Sequence, residues 1–384
     1  MNEETFHLLE TLGEDGLLPV LSVWRDRYPR GAIIALVAES ERSRLPLLQA
    51  ACRAHGLVLL GALFPGLIRQ ERFVTQGACL LVLPGVPRHA LIDRLDADGP
   101  GSAARIAAAL PQDLDAEAPP TLFMIFDAMV PNIASILDDL YLELADGVRY
   151  LGANAGSETF QPMPCLFDGE RLIGDGVLCL LLPGDWNTGL IHGYRAPDDL
   201  VTATATAGNK IVGIDWRPAF PVYRDKVLER YGVALDRENF YRYAVHFPFG
   251  IELANGQTLV RIPVALDADD GILCVGEVPN NALLTLLQSP EVDSLDTARS
   301  LAERLRLEPP AYPWLLFFYC AGRRLHLGEA AERELTACAR EIGADPIGAL
   351  TLGEIGSLGE GAYPLFHNAA VLGIRWKAPG DKPA

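Results

Sequence analysis

The sequence is poor in several features, and each shortage removes a class of function. Its 384 residues hold no Cys-x-x-Cys pair, and the seven cysteines are scattered and odd in number, so neither a disulfide framework nor a zinc knuckle is expected. No apolar run approaches the ~20 residues that a membrane-spanning helix needs. The opening MNEETFHLLETLGEDG is acidic and polar and lacks the charged-then-apolar order of a secretory signal. A cytoplasmic protein is expected. Basic residues are sparse, with AERLRLE and AGRRLHLG the densest spots, and the formal net charge is −18. Nucleic acid and anionic membranes both require a basic surface, so neither is an expected partner. Familiar catalytic and nucleotide signatures are missing as well: no Gly-x-x-x-x-Gly-Lys-Ser/Thr, no Gly-x-Ser-x-Gly, no His-Glu-x-x-His.

Apolar residues, by contrast, make up 49 % of the chain, and they are organised. GACLLVLPG, from Gly77, returns as GVLCLLLPG from Gly176, as GILCVGEVP from Gly271 and more faintly as NAAVLGIRW from Asn368, roughly every hundred residues. Each reads as a buried strand, most of them closed by a Pro turn. Even spacing points to a structural repeat. Working back from each echo gives a strand, a helix and a second strand: GAIIALVAES, SRLPLLQAACRAHG and LVLLGALFPG before the first; TLFMIFDAM, PNIASILDDLYLELADG and VRYLGANAGS before the second. Ile133, Ile136, Leu137, Leu140 and Leu144 recur at helical spacing, with Pro131 in the first turn. The last unit reads WLLFFYCAG, GEAAERELTACAREIG and IGALTLGEIGS. The third, NKIVGIDW, VYRDKVLERYG and RYAVHFPFGIEL, diverges most. The expected fold is therefore α/β, with two domains built from four related strand–helix–strand–strand units and sheets covered by helices. The domains are placed at residues 1–185 and 195–384, because periodicity breaks in PGDWNTGLIHGYRAPDD between Pro183 and Asp199. DADGPGSAARIAAALPQDLDAEAPP is expected to be a helix flanked by exposed loops.

Polar residues gather at the strand ends of the last unit: Cys320 and Arg323 in FFYCAGRR, Glu354 in TLGEIGS, His367 and Asn368 in LFHNAAV. A strand running into Cys-x-x-Arg carries a cation to the sheet rim, where an acidic ligand group or Glu354 can pair with it. A purely structural Arg–Glu pair is the competing expectation. GANAGSE is read as a tight strand-to-turn transition rather than a dinucleotide loop.

In that order, FFYCAGRR, a helix, GALTLGEIGS and FHNAAVL resemble the C-terminal half of FIST proteins. VTATATAGNKIVGIDWRPAFPVY resembles the opening of that half, and YLGANAGS with FDGERLIGDGVLCLLLPG is similar to the N-terminal half. The closing motif departs from the family's His-Asn-Gln-Thr, reading His-Asn-Ala-Ala. The resemblance implies a bacterial sensory module that binds a small molecule at Cys320, Arg323, Glu354, His367 and Asn368. It would signal to a separate protein, a histidine kinase or a cyclic-di-GMP enzyme. One branch resembles haem-carrying nitric-oxide sensors. For a haem, the axial-ligand candidates are His192 in GLIHGYR and His246 in AVHFPF, followed by His367, with Cys165 in PMPC behind them. The branch that recruits ubiquitin ligase carries an added F-box, which is not expected here. An enzyme with Cys320 as nucleophile and Glu354 or His367 as base is the alternative, and a scaffold without ligand is the third.

Overall fold

A computed structural model of the chain describes residues 5–95, 101–111, 119–183, 186–305, 314–357 and 363–376. Three of the four repeat units share one topology. In the first, strand Ala32–Ala38 leads into helix Leu45–Ala54 and returns as strand Val58–Phe64, parallel to the first. In the second, Thr121–Asp127, helix Ile133–Leu144 and Arg149–Ala155 do the same. In the last, Trp314–Cys320, helix Ala330–Ile342 and Asp345–Thr351 follow suit. The echoed runs Ala78–Leu83, Gly176–Leu182 and Val371–Trp376 each lie antiparallel against the leading strand of their own unit. Buried on both faces, they read as continuous apolar runs rather than alternating ones.

Each returning strand carries a glycine at its fourth position, Gly61, Gly152 and Gly348. A Cβ there would stand 2.2, 2.1 and 1.8 Å from the carbonyl oxygens of Ala35, Met124 and Phe317, respectively. The Gly-Ala step common to LLGALF, YLGANA and PIGALT thus answers to one packing constraint met three times.

The units are interlocked. Each has a hairpin after its returning strand, and each gives it to a different sheet. Leu67–Arg69 of the first unit pairs with Asp345–Thr351 of the last. Leu166–Asp168 of the second pairs with Val58–Phe64 of the first. Glu354–Gly356 of the last pairs with Arg149–Ala155 of the second. With flanking strands Phe6–Leu9, Arg88–Asp93 and Trp186–Ile191, three six-stranded sheets of matching order result. Their inner faces share one core, where the Phe318 ring lies 6.2 Å from Phe64 and 6.0 Å from Phe123. Helices cover the outer faces, Ile133–Leu144 over the second sheet and Ala330–Ile342 over the last. The chain is thus a mixed α/β protein with helix-covered sheets.

The third unit departs from the other three. Its echo, Ile272–Cys274, is a strand, but it pairs antiparallel with Lys210–Ile214, and the strand after helix Ala219–Tyr231 joins a different sheet. No parallel crossover forms, so residues 201–286 make an antiparallel module with its own core. The segment Pro183–Asp199 is not a bare linker, because Trp186–Ile191 within it pairs along its whole length with Val371–Trp376. Between the first two units, Ser102–Ala108 is the expected helix; the loops at 96–100 and 112–118 lie outside the described residues.

Candidate functional site

The leading strand of each unit ends at an equivalent residue, and the three ends differ in chemistry. Ala38 carries no functional group. Asp127 is sealed: its carboxylate accepts from the backbone N–H of Met129 at 2.9 Å and of Asp175 at 2.7 Å, and the buried Cys165 thiol donates to it. Cys320 opens instead onto a cavity of about 230 Å³. Val245, Ile262, Val264 and Val275 of the module form one wall, and Ala321, Gly322, Leu325 and Leu352 of the last unit form the other. Cys320 and Asn368, both buried, lie at its floor. Exposed Arg242, with Glu158 from the turn after strand Arg149–Ala155, marks the mouth.

The other strand-end residues sit behind that floor rather than in it. Arg323 is fully buried and does not take Glu354. Its Nε donates to Glu334 Oε2 at 2.7 Å and its Nη2 to Oε1 at 2.5 Å, a fork-on-carboxylate pair. Its Nη1 donates to the carbonyls of His192 and Ala369. Tyr319 Oη adds a third donor to Glu334 at 2.7 Å. Burial opposes the Arg323 charge, and the Glu334 carboxylate more than offsets it, holding the guanidinium protonated. Neither a ligand nor Glu354 is the partner. A structural carboxylate holds Arg323, but it comes from helix Ala330–Ile342 rather than from a neighbouring strand, because a buried guanidinium needs an acceptor matching its planar fork and Glu334 presents one. Glu354, also fully buried, accepts from Thr351 Oγ1 at 2.5 Å and Ala370 N at 3.3 Å. Burial pushes its carboxyl up to about 8. Asn368 donates to the His367 carbonyl at 3.0 Å, and its Oδ1 faces Ile262 N at 3.4 Å.

The histidines are largely spoken for. His192 has Nε2 3.0 Å from Thr258 O, and its Nδ1 accepts from Tyr194 N at 3.0 Å. Burial lowers it to about 4. His367 Nε2 stands 3.2 Å from Gly356 O, and burial lowers this ring to about 3. His246 lines the cavity, its ring 5.3 Å from that of His326, whose Nδ1 meets Tyr194 Oη at 2.6 Å. These residues do not fit a haem. His192 has both nitrogens engaged, His367 is sealed away from the cavity, and the one histidine in the cavity faces a space sized for a ring with a short tail. An apolar cavity of roughly 150 Å³ takes benzene, and about 230 Å³ is far short of a porphyrin.

Nor is Cys320 arranged as a nucleophile. Burial, with the Glu354 carboxyl beside it, pushes the thiol up to about 12, whereas an attacking thiol needs the opposite shift. Of the two expected bases, His367 bonds a backbone carbonyl, and the Glu354 carboxyl that takes a hydrogen bond from the thiol is itself fully buried. Sequence reasoning missed Glu334, Tyr194, His326, Arg242 and the module wall. Only Arg242, set among aromatics in NFYRYAVHF, carried a local signal.

Family comparison agrees with the architecture. A model of the FIST N domain matches residues 32–217, and one of the FIST C domain matches residues 219–357. The chain belongs to the FIST family. FIST domains are sensory domains of signal-transduction proteins, so this chain is a sensory module. No curated protein matches it. The cavity lies where the two matched regions meet, since Glu158 and Phe160 come from the FIST N region and Arg242, Ile262 and Cys320 from the FIST C region. Among the described residues, no helix is long and apolar enough to cross a membrane.

Proposed function

We propose that the protein is a non-catalytic sensor that binds a small molecule in the cavity between the antiparallel module and the last α/β unit. Occupancy would alter the seating of the module on the body, and so the surface offered to a separate signalling protein, such as a histidine kinase or a cyclic-di-GMP enzyme. The observation carrying this reading is that module and body each supply a wall. A ligand touching both has differential contacts in open and closed arrangements, the condition for shifting an equilibrium. A cytoplasmic location suits seven unpaired, buried cysteines.

The reading is tested by thermal unfolding against a panel of metabolites, with Val264→Trp as the filled-cavity control. A ligand at 100 times its dissociation constant stabilises by about 2.7 kcal/mol, and the shift should vanish in the variant. Equal shifts in both proteins, or none with any metabolite, would overturn it. An absorption spectrum after expression with haem supply completes the test: uptake of haem with a band altered by His246→Ala would replace the metabolite reading with a haem sensor.

A further inference from the structure

Taking the cavity as the ligand site, its charges restrict what the ligand can be. Five ionisable or polar side chains border it besides Cys320 and Asn368 at the floor: Glu158, the exposed Tyr241, Arg242, His246 and, just outside, Arg324. Glu158 is already committed, because Arg324 Nη2 donates to it at 2.7 Å. Burial lowers the His246 imidazole below its usual range and so disfavours a positive charge there. Arg242 differs from these. Its Cζ rests 5.5 Å from the centroid of its neighbour Tyr243, and no carboxylate among the described residues pairs with it. Among the described residues, the mouth therefore holds one uncommitted guanidinium and no uncommitted carboxylate, while the walls are mostly aliphatic.

We infer that the cavity takes a small monocarboxylic acid with an apolar body, its carboxylate on the Arg242 guanidinium and its hydrocarbon against Val245, Ile262, Val264, Val275 and Leu352. A guanidinium presents parallel N–H donors that match a carboxylate bidentately. An ammonium group on the ligand would find no free anion, so a zwitterion is disfavoured relative to the plain acid. A phosphate monoester, carrying close to two charges, would have one exposed cation to meet it. About 230 Å³ admits a phenyl ring with a short chain.

The test is calorimetric titration of the full chain with benzoate, 3-phenylpropanoate and hexanoate, each beside its primary amide, and with phenylalanine and phenyl phosphate. At least one acid should bind more tightly than its amide by roughly fivefold, the scale of a single exposed ion pair. Arg242→Gln should erase that difference by weakening the acid more than the amide. Val264→Trp should abolish both. Acid and amide binding equally to the wild-type protein, with both lost in Val264→Trp, would leave the cavity as a ligand site and overturn the carboxylate. Tighter binding of phenylalanine than of 3-phenylpropanoate would overturn it in favour of a zwitterion, and tighter binding of phenyl phosphate in favour of a phosphoester. Absence of binding by every acid would also overturn it, while the metabolite panel above judges the cavity separately.

Discussion

Every sheet of the three-unit body is completed by a hairpin borrowed from another unit, whereas both sheets of the module are completed by strands from residues 201–286. The body therefore has no part that can leave. Its FIST N and FIST C regions share sheets. The module is attached differently, through apolar contacts around Ile262, Leu287, Cys320 and Ala369, with Leu365 against its core and Val275 against that of the second unit, and through polar clamps. Among these clamps, Arg261 Nη1 donates to the Phe366 carbonyl at 3.0 Å and His192 Nε2 meets the Thr258 carbonyl. On the proposed reading the module moves on the body, and the cavity lies at the seam between them. Elements that move in signalling are drawn from the less stable parts of a structure.

The strongest way to break this contrast is to weaken the body beneath the seam. Glu334→Gln leaves the Arg323 charge buried without its counter-charge and should cost about 3–5 kcal/mol in urea unfolding. The double change Arg323→Met with Glu334→Leu should cost clearly less, because no bare charge remains. Equal losses in both would show that the pair matters only as packing. Next in size is Gly348→Ala, whose Cβ would stand 1.8 Å from a backbone oxygen that the sheet holds in place. A cost of about 3 kcal/mol is expected. The matching test in the module is Gly271→Ala, whose Cβ would meet the Asp267 carboxyl at 2.7 Å. That carboxyl accepts from Asp269 N and Gly271 N and pairs with Lys210, so moving it aside strains these partly exposed bonds, and the loss should be about 1–2 kcal/mol, still below that at Gly348. Similar costs at both glycines would remove the distinction between a locked body and an adjustable module.

The same contrast explains what was legible in the sequence. Ala78–Leu83, Gly176–Leu182 and Val371–Trp376 were recognisable as one repeated strand because each is buried on both faces and so is written in Leu, Val and Ile. The third echo was equally recognisable as a strand, but an apolar run does not reveal the direction of its partner, and its sheet proved wholly antiparallel. Hairpin exchange left no trace, since a strand has the same sequence whether it closes its own sheet or another. In the site, Cys320 and Asn368 were visible because polar residues interrupting apolar strands mark strand ends. Which strand ends open onto a cavity was not visible: Asp127 and Cys320 occupy equivalent places, and only the packing of the distant module over Cys320 distinguishes them. Glu334 was hidden among Glu332, Arg333 and Arg340 in helix Ala330–Ile342, where a charge facing the core reads like one facing water.

A smaller effect separates the groups by pH. Burial raises Glu354 from 4.5 to about 8, so the folded state holds a proton there that the unfolded chain releases. Its stabilising contribution is complete below the unfolded value and declines as pH rises towards 8. His192 and His367 act in the opposite sense, because their folded values are depressed and their contribution is lost as pH falls below 6.5. As the unfolded forms of these and of His246 and His326, which burial also depresses, lose their last protons above pH 7, the Glu354 slope comes to dominate towards pH 8, at most about 1.4 kcal/mol per pH unit. Glu354→Gln should flatten it. A wild-type slope that survives the substitution would assign the titration to another group.

The smallest expected effect bears most directly on the seam. Helix Ile133–Leu144 of the second unit starts without a cap from its own sequence, since Asn132 makes no capping bond. Glu277 of the module supplies one from across the seam: its carboxylate accepts from Ala134 N at 2.8 Å and from Ser135 N at 3.2 Å, and Ser135 Oγ donates to it as well. The bonds fall on two of the donors that a helix start leaves unpaired, and the negative charge sits at the favourable end of the helix dipole. Glu277→Ala should cost about 1 kcal/mol. It should also speed hydrogen exchange at residues 135–138 more than in the module strand Thr258–Arg261. Glu277→Gln, which keeps an acceptor without the charge, should recover part of the loss. If the module reseats when the cavity is filled, this clamp loosens on ligand binding in the wild-type protein, and exchange at the helix start should rise towards that of the alanine variant. Exchange at this helix that ignores both the substitution and the ligand would mean that the module and the body move as one, and the seam would no longer be the moving part.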